Sequence, residues 1–126
     1  MIKIPISNGE LADKISILKI KSEKVHDKNK LSNICAELSN LLPLMESVGI
    51  TTESDSYKEL YRINLELWNI EDKIRLKEKQ KIFDEEFIKL ARQIYTLNDE
   101  RARLKKKIDI ETKSELTEEK SYEKYN

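Results

Sequence analysis

The sequence predicts an all-α fold, in which a short and then a long antiparallel helical hairpin pack as an elongated four-helix bundle. The first observation is the composition: charged and apolar residues each make up 38% of the chain, with only two Gly and two Pro, as in long exposed helices. The second is the spacing of the apolar residues, which recur at steps of three and four, the helical period. The third is that these apolar stripes align when the chain folds back at two points, which closes two hairpins.

The chain begins with an arm, residues 1–7, whose isoleucines alternate along it, so we expect an extended conformation. Pro5 lacks an amide hydrogen and would confine any strand to the edge of a sheet. Ser7 and Glu10 form a capping box, which predicts that the first helix begins near Asn8.

Residues 8–48 are expected to form the short hairpin. Two apolar stripes pair residue by residue when the chain folds back at Lys28. The stripes consist of Leu11, Ile15, Leu18, Ser22 and Val25, followed by Leu31, Ile34, Leu38, Leu41 and Met45. Pro43 removes one backbone hydrogen bond and should kink or end the second helix nearby. Gly49 is suited to cap the C-terminus of that helix.

Residues 54–112 are expected to form the long hairpin. Each of its helices carries one apolar seam of the antiparallel coiled-coil type, and the two seams align without a gap when the chain folds back at Ile82. The seams consist of Leu60, Ile63, Leu67, Ile70 and Ile74, and of Leu90, Ile94, Leu97, Leu104 and Ile108. The third helix is expected to begin at Ser54 or Asp55, and the fourth at Asp84.

Arg101 fills one position of the second seam, opposite Ile63 in the predicted register. We expect its side chain to extend outward along its stem or to pair with an acid such as Glu66. A second face of each long helix is expected to receive the short hairpin. It holds Tyr61, Asn64, Trp68, Glu71 and Arg75 on one helix, and Ala91, Tyr95, Asn98, Ala102 and Lys105 on the other.

The remaining residues, 113–126, form a short C-terminal tail that is rich in acidic residues. Tyr122 and Tyr125 stand three positions apart in it, so either a short helix that packs both rings on one face or a disordered segment is expected. The length of 126 residues suits one domain, residues 1–126, that holds both hairpins and the tail.

One region of the long hairpin mixes aromatic, amide and charged residues and predicts a candidate binding pocket. In the predicted register Trp68 would form the floor of a polar pocket, in which Arg75 and Arg92 would bind a small molecule or an anion. The candidate residues are Trp68, Glu71, Arg75, Arg92, Tyr95 and Asn98. The alternative is a packing layer between helices whose polar groups are paired, with Glu71 and Arg75 as an ion pair on one helix.

No catalytic, metal-binding or phosphate-binding motif is present, so we expect no metal site and no cofactor, and no catalytic residue is assigned. The single cysteine, Cys35, excludes an internal disulfide, and no apolar run approaches the roughly 18 residues of a membrane span, so we expect a protein of the cytoplasm without a membrane partner. The net charge is zero, and the two basic runs at 73–81 and 101–107 resemble solvated helix faces, so no nucleic-acid partner is expected.

The difference in length between the hairpins predicts self-association. The third helix should exceed the first by about nine residues, or roughly 13 Å, so part of the apolar seam stays uncovered by the short hairpin. A homodimer with an interface of about 1,600 Å² would cover it. The main interpretation is a non-enzymatic helical interaction module that self-associates and that also has room for another protein partner. The alternative is a small-molecule binding protein or enzyme that uses the pocket at Trp68.

Four segments carry a resemblance to a protein family. They are GELADKISILKIKSEKV, ELYRINLELWNIEDKIR, FDEEFIKLARQIYTLNDERARLKKKI and EEKSYEKY. Over most of its length the chain resembles an uncharacterised all-helical family of bacteria and their phages, some members of which are associated with glycosyltransferase-like proteins. The resemblance implies a cytoplasmic helical protein with a link to cell-surface glycan assembly. It implies no activity. Among the segments that could form a site, it favours residues 68–75, 92–101 and 118–122.

Overall fold

A computed structural model of the chain describes residues 1–120 and 123–125, which contain four α-helices and no strand. The helices are α1 (Asn8–Lys24), α2 (Lys28–Ser47), α3 (Asp55–Gln80) and α4 (Glu85–Glu111). The predicted all-α fold with a short and a long hairpin is therefore confirmed. Within the described ranges, no helix combines the length and the apolar character that crossing a membrane requires.

The helices begin at residues whose side chains favour a helix start. Ser7, Asp27 and Asp84 each accept a hydrogen bond from the backbone N–H three residues further on, at 2.9–3.0 Å, and so cap α1, α2 and α4. Ser54 is the N-cap residue of α3, although its hydroxyl accepts from the N–H of Thr51 instead, at 3.0 Å. The predicted starts of α1, α3 and α4 are confirmed because capping depends on residues close in sequence, whereas α2 begins at Lys28, where the chain was expected to turn.

Three helices end on a residue in the left-handed backbone region. These residues are Gly49 after α2, Lys81 after α3 and Lys113 after α4, with φ of 87°, 58° and 54°. After each of them, the next N–H bonds back to a carbonyl five residues earlier, at 2.8–3.2 Å, which satisfies the end of the helix. The predicted cap at Gly49 is confirmed, and α2 passes through Pro43 to end at Ser47.

The backbone of the short hairpin approaches the long one through α1. α1 packs against α2, α3 and α4, whereas no Cα atom of α2 comes within 8 Å of α3 or α4. The second face of the long hairpin was expected to receive the short hairpin, and it is α1 that packs there. The side chains at the end of α2, above all the buried Met45, still reach the core.

The core lies where α1 crosses the long hairpin. It consists of Leu11, Ala12, Ile15, Met45, Ile50, Tyr57, Leu60, Ile63, Leu67, Leu104 and Ile108. From residue 68 to residue 103, a segment that the structure describes completely, Leu90 is the only buried residue. The predicted seams are therefore well buried near α1 and, apart from Leu90, only partly buried beyond it. The pairing of individual seam residues stays a prediction.

The two chain ends lack regular secondary structure in their described parts. Residues 1–6 of the N-terminal arm are exposed. The tail follows α4: Lys120 pairs with Asp99 at 3.0 Å, and the Tyr125 ring packs edge-on against Tyr95 with 5.2 Å between ring centroids. The predicted common face of Tyr122 and Tyr125 involves Tyr122, which lies outside the described residues.

Candidate functional site

The first turn of α1 lies in close contact with the last turns of α4. The Gly9 N–H donates to Asp109 Oδ1 at 2.6 Å, and a methyl carbon on Gly9 would lie 2.1 Å from the carbonyl oxygen of Lys105. The other oxygen of the buried Asp109 carboxylate, Oδ2, accepts the N–H of Glu118 at 2.6 Å. One carboxylate thus joins α1, α4 and the tail, and its charge complements the N-terminus of α1.

One turn further along α1, the fully buried Asp13 forms a doubly bonded ion pair with Arg101 of α4. Arg101 Nε donates to Asp13 Oδ1 at 2.8 Å and Nη2 to Oδ2 at 2.6 Å. Asn64 of α3 donates to Asp13 Oδ1 at 2.9 Å and to Ser16 Oγ at 2.7 Å. The hydrogen bond to Asp13 raises the pKa of the Arg101 guanidinium above its usual value. Asp13 therefore ties α1 to both long helices at a single point.

Lys105 extends this arrangement toward the tail. Its ammonium group lies 2.5 Å from Glu10 Oε2 and 3.3 Å from Glu118 Oε1, although the side chain is almost completely buried. Burial lowers the pKa of Lys105, but the hydrogen bond to Glu10 and the nearby carboxylates raise it, and the net effect is a rise. We call Glu10, Asp13, Arg101, Lys105 and Glu118 the charge cluster.

Two clefts open on either side of the charge cluster, and Asn98 and Arg101 line both of them. The Trp68 cleft has a volume of about 430 Å³ and lies between α1, α3 and α4. The tail cleft has a volume of about 800 Å³ and lies between α4 and the described part of the tail, where Tyr125 and Glu118 line it. Both volumes fall in the range of small-molecule sites, which is about 300–1,000 Å³.

The structure brings together four of the six predicted pocket residues. The Trp68 cleft is lined by Trp68, Glu71, Arg75 and Asn98, together with Ile17, Ile20, Asn64, Leu67, Asp72 and Arg101. Within it, Arg75 Nε donates to Glu71 Oε2 at 3.1 Å, which confirms the ion pair expected from their spacing.

The other two predicted residues, Arg92 and Tyr95, lie elsewhere. They line a groove on the outer side of α4 beside Tyr125, and Tyr95 also reaches the tail cleft. The six candidate residues are therefore divided between two surfaces, and their role in binding stays a prediction. Arg92 and Asn98 are six residues apart in an α-helix, which places them about 120° apart around its axis.

The expected partner of Arg101 is also corrected. Glu66 accepts from Arg62 of its own helix at 2.9 Å, whereas Arg101 pairs with Asp13. Sequence reasoning missed Asp13 because a lone aspartate in an amphipathic helix is typical of a solvated position. A usable signal was the spacing of Gly9, Ala12 and Ser16, small residues on the face of α1 that approaches the long hairpin.

The chemistry of the charge cluster suits binding and alignment better than proton transfer. Each of its carboxylates contacts a cation: Asp13 contacts Arg101, while Glu10 and Glu118 contact Lys105. Among the described side chains, no three His, Cys, Asp or Glu residues are grouped so that they would hold a metal ion. In contrast, the Trp68 cleft offers an aromatic surface, an amide and both signs of charge, which are groups that orient a small polar molecule.

Comparison with known proteins gives one match. The model of the "Family of unknown function (DUF6165)" matches residues 2–125. The searches of the curated proteins and of the solved structures each found no match.

Proposed function

The chain belongs to the family of unknown function DUF6165, and from its geometry we propose a helical interaction module that self-associates, as a coiled coil, through the distal half of the long hairpin. The distal half comprises residues 68–103. The proposal rests on one observation: the structure describes every residue of the distal half, and among them only Leu90 is buried. A helix pair that buries only one side chain gains little stability from its own packing. Packing against a further layer of helices would stabilise it.

The distal half exposes large apolar side chains. They are Leu76, Ile82, Phe83, Ile88 and Tyr95, each at least two-fifths exposed. The tip of the hairpin is nevertheless braced, because Lys77 of α3 bonds to Asp84 across the turn at 3.0 Å. The exposed residues thus lie on a structured surface, and apolar patches of this kind are typical of sites of protein association.

Charge complementarity supports a second copy of the chain as the partner. Lys79 and Lys81 lie at the C-terminal end of α3, close in sequence to the acidic start of α4, whereas Asp72 lies nearer the middle of α3. A two-fold axis across the distal half runs the two hairpins antiparallel, so Lys79 and Lys81 of each copy approach Asp72 of the other. The net charge of zero adds no overall repulsion between copies.

The size of the surface sets the expected strength of the dimer. One face of the distal half is about 25 Å long and about 20 Å wide, from the rise and diameter of two packed helices. Two copies would bury about 1,000 Å² in total, at the lower end for a specific interface. We therefore expect a dimer that dissociates on dilution in the micromolar range.

Light scattering after gel filtration tests the proposal with a matched pair of variants. The mass of the wild type should rise from 14.9 kDa toward twice that value as concentration increases. Leu76→Glu should remain a monomer because Leu76 lies in the distal half. Leu44→Glu is the control: Leu44 on α2 is 53% exposed against 54% for Leu76, so its replacement should leave the dimer intact. A wild type that remains at 14.9 kDa, or equal effects of both variants, contradicts the proposal.

The family resemblance extends the proposal to the cellular process in which the protein acts. Association of similar proteins with glycosyltransferase-like proteins supports a cytoplasmic role in cell-surface glycan assembly, with one of those enzymes as a protein partner. Deleting the gene should then change the surface polysaccharide of the host cell. An unchanged polysaccharide removes this part of the proposal and leaves self-association untouched.

A second candidate function is small-molecule binding, with or without catalysis, in the Trp68 cleft. It is favoured by the position of Arg101 and Asn98, which line both this cleft and the tail cleft. Native mass spectrometry of protein from its own host should show a small-molecule adduct that Asn98→Leu loses while keeping its helical content. If the wild type and Asn98→Leu both show only the mass of the chain, without an adduct, this function is contradicted.

A further inference from the structure

The Trp68 cleft has one more negative than positive charge. Both of its arginines are engaged: Arg75 Nε donates to Glu71 Oε2 at 3.1 Å, and Arg101 is bonded twice to a buried carboxylate of α1. Asp72 also lines the cleft, and no side chain that the structure describes forms an ion pair with it. When the carboxylates that bind the two arginines are counted, the charge of Asp72 is left over.

This carboxylate stands next to the indole ring of the chain's single tryptophan. Trp68 and Asp72 are four residues apart on α3, a spacing that makes two residues neighbours on one face of a helix, with about 5–6 Å between their Cβ atoms. The indole is half-buried and the carboxylate is exposed, so both can be reached from solvent. The face of an indole ring attracts cations, and a carboxylate attracts them as well. The two groups together favour a positive charge on this side of the cleft.

Aliphatic side chains make up much of the rest of the lining. Ile17 and Ile20 come from α1 and Leu67 from α3. Ile20 and Leu67 are buried, and Ile17 is half-buried. Contact with such a surface stabilises an apolar group and gives nothing to a bare ion, so a positive charge alone would use only part of the cleft. With a volume of about 430 Å³, the cleft has room for a cation that also carries an apolar body.

We propose that the Trp68 cleft binds an amphipathic organic cation, an ammonium group on an apolar body, whose charge is held between the Asp72 carboxylate and the Trp68 indole ring. This inference rests on the second candidate function, small-molecule binding in the same cleft, and adds the chemical class of the ligand. An anion is disfavoured, because the exposed arginine that would bind it, Arg75, is already paired with Glu71 and stands three residues from Asp72 on the same helix.

Three probes of similar shape test the charge of the ligand. Cyclohexylmethylamine is a cation at neutral pH, cyclohexylmethanol is its uncharged counterpart, and cyclohexanecarboxylate is an anion of nearly the same size. None of them absorbs light where tryptophan does, so the fluorescence of Trp68, the only tryptophan of the full-length chain, reports binding beside it. The wild type should bind the amine about three to thirty times more tightly than the alcohol, and the carboxylate most weakly.

Two matched variants assign the preference to Asp72. Asp72→Asn removes the charge and keeps the size of the side chain, so it should weaken binding of the amine about two- to fivefold and leave binding of the alcohol unchanged. Glu78→Gln is the control, because it removes an exposed carboxylate of the same helix that does not line the cleft, and both affinities should remain. Titrations at a sub-micromolar chain concentration keep the proposed dimer dissociated, so binding and self-association are tested separately.

The results separate the class of ligand from the candidate function beneath it. If none of the three probes changes the fluorescence of Trp68, small-molecule binding in this cleft is contradicted together with the cation. Equal binding of the amine and the alcohol, or tightest binding of the carboxylate, overturns the cation and leaves small-molecule binding in place. Equal weakening of amine binding by Asp72→Asn and Glu78→Gln also overturns the proposal, because the charge of the whole chain then attracts the amine. Circular dichroism confirms that both variants keep their helices.

Discussion

Replacing Arg101 by leucine should destabilise the protein, although leucine would complete the apolar seam. The change removes two charge-assisted hydrogen bonds of 2.8 and 2.6 Å and leaves the buried Asp13 carboxylate with one side-chain donor, Asn64. Bonds to charged groups contribute about 1.5–3 kcal/mol each, and burial of the leucine returns about 1–2 kcal/mol. The expected net loss is about 1–5 kcal/mol, and buried ion pairs that lose one partner lie in the upper part of this range.

Urea unfolding at neutral pH, followed by the circular dichroism of the helices, measures this loss. With a slope of about 2 kcal/mol per molar urea, the middle of the range for small proteins, the midpoint of unfolding should fall by about 0.5–2.5 M. Arg62→Leu is the matched control, because Arg62 pairs with Glu66 at 2.9 Å on the exposed side of α3. An exposed pair contributes less than about 1 kcal/mol, so the midpoint of the control should hardly move.

Removing both charges of the pair separates the cost of the unpaired carboxylate from the loss of the bonds. The double variant Asp13→Leu with Arg101→Leu should be more stable than the sum of the two single losses predicts, by about 2–3 kcal/mol. The reasoning fails if Arg101→Leu costs no more than Arg62→Leu, or if the losses of the single variants add up in the double variant.

Three further predictions use the same urea assay. Gly9→Ala should lose about 1–3 kcal/mol, because the added carbon would lie 2.1 Å from the Lys105 carbonyl oxygen. Lys81→Gly should gain about 0.5–1 kcal/mol, because φ of 58° strains any residue with a Cβ. The free energy of unfolding should fall between pH 10 and about 12, because the pKa of Tyr57 is raised from 10.0 to about 12 by burial and that of Tyr61 to about 12 mainly by its bond to Glu23. A raised pKa means that the folded chain holds the proton more tightly, so this stabilisation is complete below pH 10 and is lost as the pH rises.

Each of these three has a result that contradicts it. If Gly9→Ala unfolds at the same urea concentration as the wild type, α1 and α4 lie further apart at Gly9 than in the structure. If Lys81→Gly lowers the free energy of unfolding, the lysine side chain stabilises the fold by more than its strained backbone destabilises it. A decline between pH 10 and 12 that is equally steep in the wild type and in Tyr57→Phe means that the proton of Tyr57 is not held more tightly in the folded chain.

The helices and their ends were predictable because their causes are local. Ser7 and Asp84 cap the N–H groups of the turn that follows them, and Gly49 adopts the left-handed conformation that ends α2. The turn of the long hairpin lies between Gln80 and Glu85, as expected from the alignment of the seams about Ile82. The helix ends do not depend on which helices pack together, and the turn depends only on the pairing of two neighbouring helices.

The charge cluster was not predictable in the same way. The period of apolar residues shows which face of α1 is buried, but it does not show which helix covers that face or at what height. Asp13 and Arg101 are 88 positions apart, and each is typical of a solvated residue when read in its own helix. The close approach at Gly9 and the ion pair of Asp13 with Arg101 together fix the height of α1 along α4.

The position of α1 also determines how much of the long hairpin remains available for association. A slide of α1 by one turn would move it about 5.4 Å along α4 and still bury much of the same apolar stripe, so the hydrophobic contacts alone select the alignment weakly. Such a slide would separate Asp13 from Arg101 and leave both charges without partners, which is far more costly than any loss of apolar contact. We infer that the charge cluster sets the register of the fold: it holds α1 over the proximal half, with Arg101 at the boundary, and thereby leaves the part of the distal half around Leu76 and its apolar neighbours free to meet a second copy.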